Sequence, residues 1–513
     1  MRRSHLATAL FFVACSRTTL DELEPSPYQP TTGGSPSGGQ GGAFGGTNGA
    51  QGGSAPTGGV STGGASTGGI GVGGGVTGGS AGIAGSGAFG GMTPPAYALV
   101  GSPYVYNPTA TGFSLSVVLA SGAPAAVRAA VRPVFSSGSW MEQGTSEYPT
   151  SDVLEWTFHS LSPGTAYDYR VSVVDGSREH ELATGRATTQ RPPGQPFTFS
   201  LLTDTHIPPR SYVPLGLDTE NTHESVMLAV AREMAADDAD FMVNLGDMLD
   251  FHMFGFNDPP PDGGWTRFAY LNYRRLFGQT LAVTPHFNVI GNWDGENGCN
   301  GETAIERSRS QRLLYMPGPR PDTYPEGGNA NEDYYAFTWG DALFVVLNVQ
   351  TYTAGCHYLS FSDSEDDWTL GERQLAWLRE TLQNATSKWR FLLIHHAVGG
   401  AGGDQANSAY GRGGGRAARV GEQAIVHDLM LQHGVQIFFY GHDHVFTDMV
   451  VDGIHYTLPG SAGAPWKFST FETGYENYWP DSGRARVHVS PESVRVDFLA
   501  VGGATLNTYT ITE

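Results

Sequence analysis

An α/β sandwich over residues 193–513, preceded by an all-β sandwich over 93–192, is the fold class that the sequence predicts. Three observations lead there. From residue 196 on, apolar runs alternate with helix-spaced segments. The stretch before it consists of short runs with period-two alternation. A glycine-rich tract separates both from the N-terminus.

The first element is the N-terminal one. Arg2 and Arg3 precede an apolar run from Leu6 to Ala14, too short to span a bilayer, and residues 1–15 read as an export signal. The run ends Phe12-Val13-Ala14-Cys15-Ser16, which resembles a bacterial lipoprotein processing site with Phe12 where Leu is usual. The segment is therefore either a lipoprotein signal, with anchorage through Cys15, or an ordinary cleaved signal peptide. Either route exports the protein, as a cell-envelope lipoprotein or as a secreted or periplasmic one. Residues 16–92 form a linker, and nearly half of residues 31–92 are Gly. Such a tract has too little apolar surface to offset its ordering entropy and is expected to act as a tether, with a reach of roughly 40–45 Å. Cys299 and Cys356 remain after Cys15 and are either a disulfide pair or two separate thiols.

Within 93–192, runs such as Phe113-Ser114-Leu115-Ser116-Val117 and Leu154-Glu155-Trp156-Thr157-Phe158 are half-buried strands. The stretch Leu161-Ser162-Pro163-Gly164-Thr165-Ala166-Tyr167-Asp168-Tyr169-Arg170-Val171 resembles the fibronectin type III signature. That resemblance implies a corner in which the first Tyr bonds back to the backbone. No catalytic residue types cluster here, which leaves spacing, packing against the α/β region or binding a partner.

From 197 the elements follow in order. Phe197 to Thr203 is a strand, Ser225 to Ala236 a helix, Phe241 to Leu245 a strand, Thr266 to Phe277 a helix and Phe287 to Ile290 a strand. A strand pair follows around Tyr334 to Val349. Thr369, with Glu372 three residues on, has the capping-box pattern for a helix whose apolar face carries Leu375, Leu378 and Leu382. Trp389 to Ile394 is a strand, Glu422 to Gln432 a helix, Val435 to Tyr440 a strand, and the tail from Phe446 is mostly β.

The 29 basic and 50 acidic side chains leave a net charge of −21, which repels polyanions and argues against nucleic acid as a partner. A bound metal would invert that field locally.

Short motifs stand just after the predicted strands, in the loops where α/β folds place their sites. They are Asp204-Thr205-His206, Gly246-Asp247-Met248-Leu249-Asp250, Gly291-Asn292-Trp293-Asp294, His395-His396 and Gly441-His442-Asp443-His444. Each alone is weak; their common position after strands is not explained by chance. Together they supply carboxylates, an amide oxygen and imidazoles, the ligand types of borderline divalent or trivalent metals.

This set resembles the calcineurin-like metallophosphoesterase family over residues 196 to 460, and the preceding β domain makes the layout similar to that of purple acid phosphatases. The resemblance implies a four-layer α-β-β-α sandwich. It implies two metal ions, from iron, manganese and zinc, held by Asp204, His206, Asp247, Asn292, His395, His442 and His444, with Asp247 bridging. Asp250, Trp293 and Asp294 fall one layer behind the ligands. It also implies hydrolysis of a small-molecule phosphate ester by a metal-bridging hydroxide, the metals about 3.5–4 Å apart.

The sequence departs from the pattern where Trp293 replaces a His that assists the leaving group. Indole donates a hydrogen bond but cannot shuttle a proton. His396, His223 and His286 are the candidates for that role, in that order, with Asp247 and Asn292 the other catalytic candidates. Arg412 and Arg416, in a glycine-rich loop, are candidates for phosphate binding. Asp250 stands where purple acid phosphatases have a Tyr ligand, so their purple colour is not expected. The alternative of another class is a tethered cell-surface binding protein in which Trp293 marks a retired active site.

Overall fold

The period-two runs form β1 (Tyr104–Thr109), β2 (Gly112–Val118), β3 (Ala126–Pro133), β4 (Met141–Gln143), β5 (Val153–Phe158), β6 (Ala166–Asp175) and β7 (Arg178–Thr188). Antiparallel β1, β2 and β5 face a sheet of order β4-β3-β6-β7. Alternate residues from both, among them Leu115, Val131, Trp156, Tyr169 and Val171, fill the space between. The Ser162 N–H donates to Tyr167 Oη at 2.8 Å, closing a corner at the start of β6.

In the computed structural model the described residues are 98–120, 126–143, 152–175, 177–207, 222–250, 264–298, 302–320, 322–329, 333–352, 369–395, 421–464, 467, 475 and 477–512. The expectations for the export signal, Cys15, the glycine-rich linker, the Cys299–Cys356 pair, His396, Arg412, Arg416 and the side chain of His223 lie outside them.

The second region runs β8 (Phe197–Leu202), α1 (Thr222–Ala235), β9 (Phe241–Asn244), α2 (Gly264–Leu276), α3 (Gly278–Leu281), β10 (His286–Asn288), α4 (Glu302–Tyr315), β11 (Tyr335–Trp339) and β12 (Ala342–Val346). It continues with α5 (Gly371–Asn384), β13 (Trp389–Leu393), α6 (Gly421–Gln432), β14 (Ile437–Phe439), β15 (Phe446–Val451), β16 (Ile454–Pro459), β17 (Gly483–Val489), β18 (Ser493–Ala500) and β19 (Thr505–Thr512). One sheet has the order β19-β18-β17-β8-β9-β10-β1-β2-β5, the other β11-β12-β13-β14-β16-β15.

The near-continuous apolar composition of the parallel strands reflects burial on both faces. Phe199, Phe241, Phe344, Phe391 and Phe439 interlock between the two sheets. Met227, Val230, Tyr270 and Tyr273 from α1 and α2 cover the outer face of one sheet, and Leu378, Leu382, Val426 and Met430 from α5 and α6 cover the other. The result is four layers, α-β-β-α.

Two features differ from the sequence expectations. The β sandwich shares a sheet with the α/β region: β1 pairs in parallel with β10, with Tyr106 opposite His286. Side chains seal this joint. Tyr169 Oη donates to the Ala282 carbonyl at 2.7 Å, and Tyr324 Oη to that of Pro108 at 2.7 Å. The fully buried Arg274 guanidinium donates to the carbonyls of Ser102, Ser116 and Tyr315. Of the roles left open for the sandwich, packing against the α/β region is thus seen directly. The second difference is the expected capping box at Thr369. The helix begins two residues later, and the residue before it, Leu370, has no side-chain cap; instead its N–H donates to the Glu422 carboxylate of α6. No described helix is long and apolar enough to cross a membrane.

Candidate metal centre

The ligand motifs leave the C-terminal ends of β8, β9, β10, β13 and β14, and the chain turns sharply at each. Asp204, His206, Asp247, His442 and His444 all have positive φ, between 48° and 77°. L-residues rarely hold that conformation, and such strain collects at functional sites. Glycine permits the close approach of the loops. A Cβ on Gly291 would lie 2.1 Å from the Asp247 nitrogen, and one on Gly246 2.7 Å from His395 Nδ1.

The side chains converge. Ligand atoms of Asp204, His206, Asp247 and His444 lie within 4.8 Å of one another, as do those of Asp247, His395 and His442. All are buried. Asn292 joins the second group, its Oδ1 lying 3.1 Å from His395 Nε2.

These contacts suit cations. His395 Nδ1 faces the Leu245 carbonyl at 2.9 Å, so it carries the hydrogen in the neutral ring and Nε2 is an acceptor. That acceptor faces two others, Asn292 Oδ1 and, at 3.0 Å, Asp247 Oδ2. His206 Nε2 and His444 Nε2 face each other across 3.2 Å, where they must share a proton or a cation. With His395 neutral, no hydrogen-bond donor among the described residues reaches the buried Asp247 Oδ2. The donor set therefore fits metal ions.

Without metal, the protons follow the same field. Burial opposes charge on His395, but Asp247 and Asp204 outweigh it and push the imidazole up to about 9. Burial also opposes charge on Asp204, yet His444, His206 and His395 hold its carboxyl well below the usual range. Burial and the Asp247 charge raise Asp294 to about 7.

The flanking residues have identifiable work. Asp294 accepts from Leu249 N–H at 2.9 Å and Gly291 N–H at 2.8 Å, tying two ligand loops together. The Trp293 N–H donates to Asp247 Oδ1 at 2.8 Å, and the indole stands edge-on to His206 with ring centroids 5.4 Å apart. Asp250 lies in the field of His206. His286 does not reach the site. It begins β10, at the far end of the strand, wedged between Tyr104 and Tyr273, and burial pushes it down to about 3. It is not the missing acid.

Several residues outside the predicted ligand set also hold this site. Asn244 accepts from Gly246 N–H at 3.0 Å. Asp443 accepts from Tyr475 Oη at 2.6 Å, and Tyr475 is itself bonded to Tyr440. Buried Glu296, paired with Arg312 and Arg309, anchors the Asn292 loop to α4. Lys467 lies close enough to Asp204 and His444 to feel their charge, and burial lowers its pKa to about 8. Asp443 was signalled by its place between two expected ligands; Lys467 had no such signal.

Residues 197–446 match the family model described as calcineurin-like phosphoesterase. The chain carries a calcineurin-like phosphoesterase domain. It is a metal-dependent phosphoesterase. Among solved structures, a purple acid phosphatase from yellow lupin (Lupinus luteus) seeds is similar with a TM-score of 0.57 at 13% identity, over 80% of this chain and 74% of that one. At that identity the likeness is one of fold. GAP50, the anchor in the inner membrane complex of Plasmodium, has a TM-score of 0.38 at 14% identity, over 62% of this chain and 89% of that one. No curated protein matches the sequence.

Proposed function

We propose that this phosphoesterase hydrolyses small phosphate esters at a centre of two metal ions. Asp204, His206, Asp247 and His444 hold one; Asp247, Asn292, His395 and His442 hold the other. Asp247 carries the reading, because its carboxylate belongs to both groups of converging ligand atoms. Iron, manganese and zinc suit this mixture of oxygen and imidazole donors. Bound there, the metals supply Lewis-acid charge and a water acidic enough to be hydroxide near neutral pH.

The chain's own residues prepare that chemistry. The Leu245 carbonyl fixes the His395 ring with Nε2 inward. The Trp293 N–H occupies Asp247 Oδ1 and so turns Oδ2 toward the centre. Asp294 holds the loops of Asp247 and Asn292 in register. The Trp293 side chain cannot deliver a proton, which favours substrates with good leaving groups or assigns the proton to another residue.

The test is turnover of aryl phosphate mono- and diesters by the full chain, stripped with chelator and reloaded with iron, manganese or zinc. Activity should vanish with the metal and return with two ions per chain. Undiminished turnover in metal-free protein would sink the proposal.

A further inference from the structure

A phosphoryl group arriving at this centre brings negative charge to a strongly acidic protein, and a cation beside the metals would help to receive it. Lys467 is placed for that. Its Nζ donates to the Ala464 carbonyl at 2.8 Å, and the Ala464 N–H in turn donates to the Asp204 carbonyl at 2.9 Å. Ser461 Oγ, from the same turn, bonds the same carbonyl at 3.2 Å. The turn is thus laced to a candidate ligand, and the ammonium stands in the field of Asp204 and His444.

The ammonium is half-buried, and among the described residues its hydrogen bond goes to a neutral carbonyl rather than to a carboxylate. An ammonium carries three donors, and one carbonyl takes one of them. Removing a cation from water without a hydrogen-bonded anion is costly, and Asp204 and Asp481, which act on it only through their field, do not offset its burial, so the position makes sense when an anion occupies the neighbouring space. We propose that Lys467 Nζ binds a non-bridging oxygen of the substrate phosphoryl group, on the side of Asp204, His206 and His444. This rests on the phosphoesterase function proposed above. Lys467 is then a binding residue for substrate and for the phosphate product, and it supplies local positive charge that Trp293 does not.

The experiment uses the full, metal-loaded chain and its Lys467→Met, Lys467→Gln and Lys467→Arg variants. Inorganic phosphate is the probe, its binding measured by calorimetry; kcat/KM on an aryl phosphate and metal content are measured alongside. Losing one charge-assisted hydrogen bond should weaken phosphate binding and lower kcat/KM by roughly 10–100-fold in the two neutral variants. Metal content should stay at the wild-type level, and Lys467→Arg should recover most of the phosphate affinity. Wild-type phosphate affinity in Lys467→Met and Lys467→Gln overturns the proposal. So does loss of metal in all three variants, which would make Lys467 a support for Asp204. If the neutral variants fail to fold, Lys467→Arg decides: near-normal phosphate affinity supports the role, and a loss equal to abolition of binding overturns it. A wild-type protein that turns over no phosphate ester and binds no metal instead defeats the underlying function, and this inference with it.

Discussion

His395 and His286 are both fully buried at strand ends of the same α/β region, yet they occupy opposite environments. His395 lies just past the C-terminal end of β13, bonded to the Leu245 carbonyl and facing Asp247 and Asn292. His286 opens β10; among the described residues neither of its ring nitrogens has a hydrogen-bond partner, and its neighbours are Tyr104 and Tyr273. Burial disfavours charge on both, but carboxylates bring the first up to about 9, whereas nothing counters burial of the second, which falls to about 3. A buried titratable group is therefore not by itself a sign of a site. Convergence with groups that need the same cation is the sign, and it occurs at one end of the strands.

The most severe way to break this contrast is to remove the shared carboxylate. Asp247→Ala deletes an oxygen that faces His206 at 3.6 Å and His395 at 3.0 Å. The variant should bind less metal and lose transition-state stabilisation on the order of several kcal/mol. Elemental analysis and turnover of an activated aryl phosphate measure both. Wild-type turnover would reduce the polar end to a structural cluster no more functional than the His286 end.

The polar end was legible because its signals are local. A Gly-Asp, Gly-Asn or Gly-His doublet after an apolar run marks a tight turn at a strand end, and these turns place Asp247, Asn292 and His442. The four layers were legible from the family resemblance and from the alternation of periods. What stayed hidden depends on distant partners. The Tyr106–His286 pairing that fuses the sandwich to the main sheet joins segments far apart in sequence. The start of α5 was misplaced because Leu370, not Thr369, stands at its N-terminus, held by a bond from its N–H to Glu422 on another helix. His286 looked like a candidate acid because nothing nearby in sequence announces the tyrosines around it.

A smaller effect is expected at Trp293, which adjoins the polar end without titrating. Its backbone N–H holds Asp247 whatever the side chain is, so Trp293→His keeps that bond and adds an imidazole near His206. General acid help is worth about 10²–10⁴-fold, and an imidazole not evolved for the position should reach the lower bound at most. The variant should gain on an alkyl phosphate, whose leaving group needs a proton, and hardly change on an activated aryl phosphate. Equal effects on the two substrates would show that Trp293 does not stand at the leaving-group side.

The mildest expected change sharpens the contrast from the other end. In His286→Phe an aromatic ring replaces an imidazole whose nitrogens have no hydrogen-bond partner among the described residues, so stability at pH 7 should stay within about 1 kcal/mol or rise, and turnover should not change. The difference should appear in acid. The folded-state pKa of His286 is lowered to about 3, so between that value and the ordinary histidine range near 6.5 the unfolded chain binds a proton that the folded chain refuses. Its contribution is present above the unfolded pKa and is lost as pH falls toward 3. Wild-type stability should therefore drop relative to His286→Phe by up to about 1.4 kcal/mol for each pH unit below roughly 6. His395 has the opposite sign in metal-free protein. Raised to about 9, its contribution is present below the unfolded value and is lost as pH rises through 9, so the two histidines act in separate pH windows. Denaturant titrations of both proteins, without metal, between pH 4 and pH 7 read the difference directly. Parallel pH slopes would mean that His286 takes up a proton while folded, which requires an anion or water among its tyrosines and would erase the distinction between the two ends.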